Sequence, residues 1–296
     1  MDVIELALQA SLFVFMVASL GGVGLGVAPR DVLPPLANGR FMLLMLASGW
    51  LVGPAVALGL LQVIPLDRPY ATALLLLALA PGAPFAPPMM RIARGDPAYV
   101  AAFMVVSAAV TVLVLPLGVP LLIPGATANP WDIARPLLLL VVVPMVSGSA
   151  IRGLWPDVAA RVEPVVSHIA RAVTMVMLVL VTLVYGRGVL NAVGSHAILT
   201  QLMFVAAVTL LTDLAGAGLG APQRNVLTVG MSTRNIGAAL APLSAIEPDA
   251  RAVVMVAIAV PMTLGAAAVA ARLLAQRCDS KRPPSIASTP AGHARA

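Results

Sequence analysis

Long apolar segments separated by short polar joints run through almost the whole sequence. The pattern predicts nine segments, each close to the roughly 20 residues needed to cross a bilayer core. They lie at about 3–27, 40–62, 70–94, 97–123, 133–154, 163–185, 196–219, 223–246 and 250–275. Apolar segments of this length indicate an all-α polytopic membrane protein that is surrounded by the lipid bilayer.

Two of the nine segments carry interruptions that a continuous helix does not accommodate. Four prolines stand within residues 81–88 of the third segment, and each removes a helical N–H or disfavours the α conformation of its predecessor. The eighth segment is interrupted at residues 232–237 (STRNIG) by polar side chains and a glycine. Because these segments run in opposite directions, we expect an inverted repeat whose two broken helices cross near the bilayer midplane.

The second interruption contains a full positive charge, Arg234. Its planar guanidinium suits a carboxylate, and half-helix N-termini near the two breaks add partial positive charge at the same depth. Both features favour an anionic substrate, although an internal salt bridge of Arg234 is the alternative. The predicted substrate-binding residues are Arg234, Asn235, Thr233, Ser232, Phe85 and Ala86.

Asp213 is the acidic residue that lies well inside an apolar run. It is a candidate for proton coupling beside Arg234, because an intramembrane carboxyl group often belongs to a proton pathway. The alternative is that Asp213 lies one or two turns from the cytoplasmic end of its segment and reaches water or pairs with Arg224. The sequence leaves both interpretations open.

Composition and charge set the membrane topology. Hydrophobic residues make up 60% of the chain and charged residues 10%, which is typical of a multi-pass membrane protein. With the N-terminus outside, the inner loops and tail hold thirteen Lys and Arg residues, against four outside. This bias predicts a cell-membrane protein with a cytoplasmic C-terminus, and it explains the basic charge without a nucleic-acid partner.

The apolar pattern predicts a transmembrane domain, residues 1–276. The polar residues that follow predict a disordered cytoplasmic tail, residues 277–296. The single cysteine, Cys278, lies beyond the last apolar segment, so no cysteine-based metal site or cofactor site is expected in the membrane. An intramembrane hydrolase would need paired aspartates, or a serine and a histidine at matching depth. The sequence therefore does not favour an enzyme.

Both interrupted stretches resemble motifs of the bile acid:sodium symporter family. They read APGAPFAPPMMRIARGDPAYV at residues 80–100 and GMSTRNIGAAL at residues 230–240. The resemblance implies a core domain with two crossed discontinuous helices, which packs against a panel domain. It also implies secondary transport of an organic anion, which binds between the domains and crosses by alternating access. The chain resembles the nine-helix version of this fold.

At the positions that match the sodium sites of the family, this sequence has residues without a side-chain oxygen. They are Gly49, Ala86, Pro87, Val100, Met104, Gly230 and Arg234. A hard cation takes several oxygen ligands, so sodium is not expected at these sites, and Arg234 is expected to supply the missing positive charge. Sodium coupling through other ligands, or a sensor or channel that does not transport, are the alternatives.

Overall fold

The chain is helical along most of its length. The computed structural model describes residues 3–123, 129–247 and 249–280, in which we number twelve helices. They are α1 (Val3–Gly26), α2 (Pro29–Leu36), α3 (Gly39–Val63), α4 (Arg68–Leu79), α5 (Ala86–Ile92), α6 (Pro97–Leu122), α7 (Pro130–Leu154), α8 (Pro156–Asn191), α9 (Ala197–Ala215), α10 (Ala221–Met231), α11 (Ile236–Ile246) and α12 (Ala250–Ser280).

Seven helices in the described part of the chain are long and apolar enough to cross a membrane: α1, α3, α6, α7, α8, α9 and α12. The other two predicted segments are the pairs α4–α5 and α10–α11, whose single helices have at most 12 residues. The all-helical, multi-pass fold class with two discontinuous helices is therefore confirmed.

Three details differ from the sequence-based boundaries. The short helix α2 forms in what was expected to be a joint, and α8 begins at Pro156 instead of residue 163. Proline suits the first turn of a helix, since its missing N–H has no partner there. Helix α12 continues to Ser280, beyond residue 277, where the sequence analysis placed the start of the tail. Residues 281–296 lie outside the described residues.

Two of the long helices contain one turn of π-helix, Ser48–Val52 in α3 and Leu138–Val142 in α7. Each turn ends just before a proline, Pro54 or Pro144. A proline has no N–H to donate, and its ring presses on the carbonyl four residues earlier, so a wider turn relieves the crowding. In α3 this turn lies against the first broken helix, where Trp50 donates through Nε1 to the carbonyl of Leu79 at 3.1 Å.

We distinguish two groups of helices by their packing. Helices α1, α7 and α8 pack on one another, and α12 packs on α4, α5, α9, α10 and α11. The groups also contact each other, since α8 packs on α12 and α7 packs on α11. Many side chains of α8 are exposed in the structure, such as Val165, Val176 and Leu183, which is expected of a helix that faces lipid. Between the groups, α1 and α8 face the broken helices.

Candidate functional site

The first helix break comprises residues 80–85, between α4 and α5. It is shorter than the predicted interruption at 81–88, because Ala86, Pro87 and Pro88 form the first turn of α5. Prolines at these positions give up N–H groups that have no partner inside the helix anyway. Gly82 has φ of +82°, which a residue with a side chain rarely adopts.

The second break comprises residues 232–235, between α10 and α11. Ile236 and Gly237, which the sequence assigned to the interruption, already belong to α11. The carbonyl oxygen Oδ1 of Asn235 accepts from the backbone N–H of Ala238 at 3.1 Å, so Asn235 caps this helix. The cap explains why the helix resumes earlier than expected.

The two breaks cross and bind each other through their backbones. Gly82 donates its N–H to the carbonyl of Thr233 at 3.1 Å, and Asn235 donates to the carbonyl of Ala80 at 2.8 Å. The pairing of Pro81 with Arg234 is antiparallel. Outside the breaks, α4 packs on α11 and α5 on α10. We call residues 80–85 and 232–235 the crossover.

The hydroxyl groups of the second break hold the crossover together. Ser232 donates to the carbonyl of Val229 at 2.7 Å, and Thr233 donates to the carbonyl of Gly230 at 2.7 Å. Thr233 Oγ1 also accepts from the N–H of Ala83 at 3.0 Å. Both side chains are buried. They therefore stabilise backbone groups that the breaks leave unpaired, and neither lines a cavity described below.

Arg234 points into the protein interior and is 1% exposed. Its guanidinium carbon lies 4.9 Å from the centre of the Phe204 ring of α9. A Cβ at Gly53 of α3 would lie 3.8 Å from Nη2. Nε, Nη1 and Nη2 have no hydrogen-bond partner among the described residues. The internal salt bridge considered from the sequence is therefore not formed with any described residue.

Asp213 lies in a separate cluster of charges. Its carboxylate accepts from Arg224 Nε at 2.9 Å and Nη2 at 2.7 Å, and from Arg277 Nη1 at 2.9 Å. Thr228 Oγ1 donates to it at 3.3 Å. Of the two interpretations left open by the sequence, the structure has the pair with Arg224. The same ion pairs tie the last turns of α12 to α9 and α10, which explains why the helix continues past residue 276.

A cavity of about 600 Å³ lies between the two helix groups, next to the first break. We call it the first cavity. Phe85 lines it, together with apolar side chains of α1 and α6 such as Phe15, Val100 and Met104. The charged lining residues are Arg30, Asp31, Arg91, Glu163 and Arg171. Among the predicted site residues, Phe85 lines this cavity, whereas Ala86, Ser232, Thr233, Arg234 and Asn235 do not.

A second cavity of about 360 Å³ lies next to the second broken helix. Ile236 and Leu240 of α11 line it, with Leu12 of α1 and Tyr185 of α8. Between the two cavities, Met16 of α1 is buried against Gly237, where a Cβ would collide with the Met16 sulfur. The same two helix groups therefore line one cavity beside each broken helix.

Two of the positions that the sequence analysis matched to sodium ligands, Gly230 and Gly49, are closely packed against apolar side chains. A Cβ at Gly230 would collide with the ring of Phe103. A Cβ at Gly49 would lie 3.1 Å from Cγ of Pro81. Val100 and Met104 present their side chains to the first cavity. An acidic side chain at position 230 therefore has no room unless Phe103 moves.

The sequence analysis missed several residues of this region. Gln201 is fully buried, and both polar atoms of its amide lack a partner among the described residues. Gln201 is a polar residue inside an apolar segment, as Arg234 is. The same pattern in the sequence could therefore have identified it. The cavity arginines Arg30, Arg91 and Arg171 were counted for topology only, because their grouping depends on how helices pack.

Comparison with known proteins gives one family. The model of the sodium bile acid symporter family matches residues 11–192, a range that contains the first break but not the second. No curated protein matches the chain at a significant level.

Proposed function

The chain belongs to the sodium bile acid symporter family, and from this premise we propose that it is a secondary transporter of a small organic anion. It works by alternating access and without sodium at the family's usual sites. The observation that carries the proposal is the crossover of two paired breaks, the first of which lines a cavity of about 600 Å³. Broken helices that meet beside a cavity are typical of transporter binding sites.

The first cavity supports an anion that has an apolar part. Its volume of about 600 Å³ lies within the usual range of small-molecule sites. The three arginines in its lining outnumber the two carboxylates, and Asp31 already lies 3.9 Å from Arg30. We propose that a carboxylate lies near Arg91 or Arg171, while Phe85 and Met104 contact the apolar part.

In this proposal Arg234 does not contact the substrate from the cavity wall. Its positive charge lies in the interior behind the crossover, where we propose that it replaces the charge of sodium in related transporters. An uncompensated charge in a low-dielectric region acts over a longer distance than one in water. It therefore favours an anion in the binding region, even without direct contact.

Two cavities on the same helix interface support alternating access. Met16 and Gly237 close the space between them, so movement of α1 and α8 relative to the crossover would open one cavity while closing the other. The proposed orientation has the N-terminus outside and the C-terminus in the cytoplasm of a cell-membrane protein. The inverted repeat and proton coupling through Asp213 remain predictions.

The test is transport by purified protein in proteoliposomes. Labelled cholate, pyruvate and pantothenate represent sterol, keto and hydroxy acids, and each is measured with sodium and with potassium. We expect saturable uptake and counterflow of at least one acid, at equal rates in the two cations. Absence of counterflow for an acid that binds would favour a sensor or channel. Uptake that depends on sodium would place a cation site outside the seven matched positions.

Arg91→Gln and Arg171→Gln test the first cavity as the binding site. Loss of a charged hydrogen-bond partner should weaken binding of the transported acid by about tenfold in each variant. Arg135→Gln is the matched control, since this exposed arginine of α7 does not line either cavity. Equal affinities in all three variants would remove the first cavity from the proposal.

A further inference from the structure

The interior contains two fully buried polar side chains, Arg234 and Gln201, neither of which lines the first cavity. Arg234 has three nitrogen atoms without a hydrogen-bond partner among the described residues, and Gln201 has an amide in the same condition. Polar groups buried to this extent are hydrogen-bonded in nearly all native proteins. The unpaired N–H groups of these two side chains therefore indicate a ligand that accepts hydrogen bonds.

Both side chains belong to the region around Phe204. The guanidinium carbon of Arg234 lies 4.9 Å from the centre of this ring. Gln201 precedes Phe204 by three residues on α9, and residues with this spacing are neighbours on one face of a helix. Helix α9 packs on α3, whose Gly53 approaches the guanidinium from another direction. Helix geometry thus places Gln201 on the face of α9 that carries Phe204 and that is turned towards Arg234.

The charge of Arg234 is not balanced within the described interior. Asp213, the acidic residue within the neighbouring helix α9, is already engaged with Arg224 and Arg277. An isolated buried ion is strongly unfavourable. Contact with the face of one aromatic ring offsets only part of that cost. One negative charge close to the guanidinium would neutralise its positive charge.

We infer that Arg234 and Gln201 form a binding site for a small inorganic anion with the charge and size of chloride. Guanidinium and amide N–H groups are the donors that such an anion requires. Neither residue lines the first or the second cavity, and Gly53 and Phe204 lie close to the guanidinium. The proposed anion site is therefore separate from the first cavity, where the organic acid is proposed to bind. It shares Arg234 with the proposed transport, but its existence does not depend on transport.

The test measures thermal unfolding of the purified protein in detergent, without any organic substrate. Potassium chloride is titrated against potassium gluconate at constant ionic strength, because gluconate is too large to enter the site. The unfolding midpoint of the parent should rise with chloride and reach a plateau, as for a ligand that binds the folded state. Equal midpoints in chloride and gluconate would overturn the inference, and would leave the transport proposal untouched.

Three variants make the assignment specific. Arg234→Gln should abolish the response to chloride, while the exposed control Arg135→Gln should respond like the parent. Gln201→Leu should raise the half-saturating chloride concentration by about tenfold, which corresponds to one hydrogen bond to a charged ligand. A full response in Arg234→Gln, or loss of the response in Arg135→Gln, contradicts the site.

A second measurement does not rely on folding of the variants. Crystals of the parent grown with bromide should show anomalous density in contact with the guanidinium of Arg234. Density confined to the protein surface would overturn the inference.

Discussion

Two charged residues inside membrane helices, Asp213 and Arg234, have opposite surroundings. The carboxylate of Asp213 accepts hydrogen bonds from Arg224, Arg277 and Thr228. The guanidinium of Arg234 contacts the ring of Phe204 and has no hydrogen-bond partner among the described residues. Hydropathy alone treats the two residues alike, since each places one charge in an apolar segment.

The difference separates a structural charge from a functional one. A buried charge that is fully paired holds helices in register, and removing one partner leaves the others uncompensated. A buried charge without a partner weakens the fold and persists for another reason, of which binding or transport is the commonest in a membrane. We therefore propose that Asp213 stabilises the fold and that Arg234 acts on the anion.

The largest expected effect is on transport by Arg234 variants. Arg234→Gln should lower the kcat/KM of the transported acid by about a hundredfold, because a desolvated charge contributes a few kcal/mol. Arg234→Lys keeps the charge but loses the planar fork, so we expect a loss of only about tenfold. The measurement is initial uptake into proteoliposomes with known protein content.

The unfolding midpoint of the same variants is the control. Removal of an unpaired buried charge should not lower it when the proteins are compared in gluconate. If both Arg234 variants transport like the parent, the lack of a hydrogen-bond partner at Arg234 does not indicate a role in transport.

The second effect is on stability, through Asp213→Asn. An asparagine cannot neutralise Arg224 and Arg277, so the free energy of unfolding should fall by about 2 kcal/mol after allowance for the partly exposed arginines. Chemical denaturation in detergent gives this value. Uptake per folded molecule, measured with and without a proton gradient, then tests coupling: an unchanged response assigns Asp213 to stability alone, and a lost response restores the proton-coupling hypothesis.

The third effect concerns the packing around Arg234. Gly230→Ala places a methyl group against the ring of Phe103, and overpacking of this kind should cost about 1.5 kcal/mol. Gly265→Ala in α12 is the matched control, because nothing lies within 4 Å of the added carbon. That variant should be neutral or slightly more stable, since alanine favours a helix. Equal stabilities would show that the ring of Phe103 shifts easily to admit the methyl group.

The smallest effect compares two buried threonines. Thr228 Oγ1 donates to Asp213 at 3.3 Å, whereas Thr111 Oγ1 has no partner among the described residues. Thr228→Val should cost about 1 kcal/mol, and Thr111→Val should be neutral or stabilising by up to about 1 kcal/mol. Unfolding free energies that change in the same direction would weaken the rule that pairing decides the role of a buried polar group.

Most of the fold was predictable because a membrane imposes simple requirements. A helix must present about 20 apolar residues to lipid, so the nine segments and their joints are visible as runs of hydropathy. The breaks were visible for a related reason, since the four prolines between Pro81 and Pro88 cannot all continue a helix. Their ends were misplaced by a few residues, because a proline inside a run and a proline that starts a helix look the same in sequence.

The candidate site was predictable only in part. Of the predicted residues, Phe85 lines the first cavity and Arg234 lies buried behind the crossover. Ser232, Thr233 and Asn235 bind backbone groups of the crossover and α11. A hydroxyl group in a break suits a ligand and an unpaired carbonyl equally well. Which of the two it meets depends on the conformation of the break.

The sequence by itself determined the membrane environment, the two breaks and the presence of a charge at one of them. These features depend on local composition, which lipid and backbone hydrogen bonding restrict residue by residue. The tertiary structure decided that Asp213 is paired and Arg234 is not, and that Arg30, Arg91 and Arg171 share one cavity. Such pairings join residues far apart in the chain, and only the packing of helices brings them within reach.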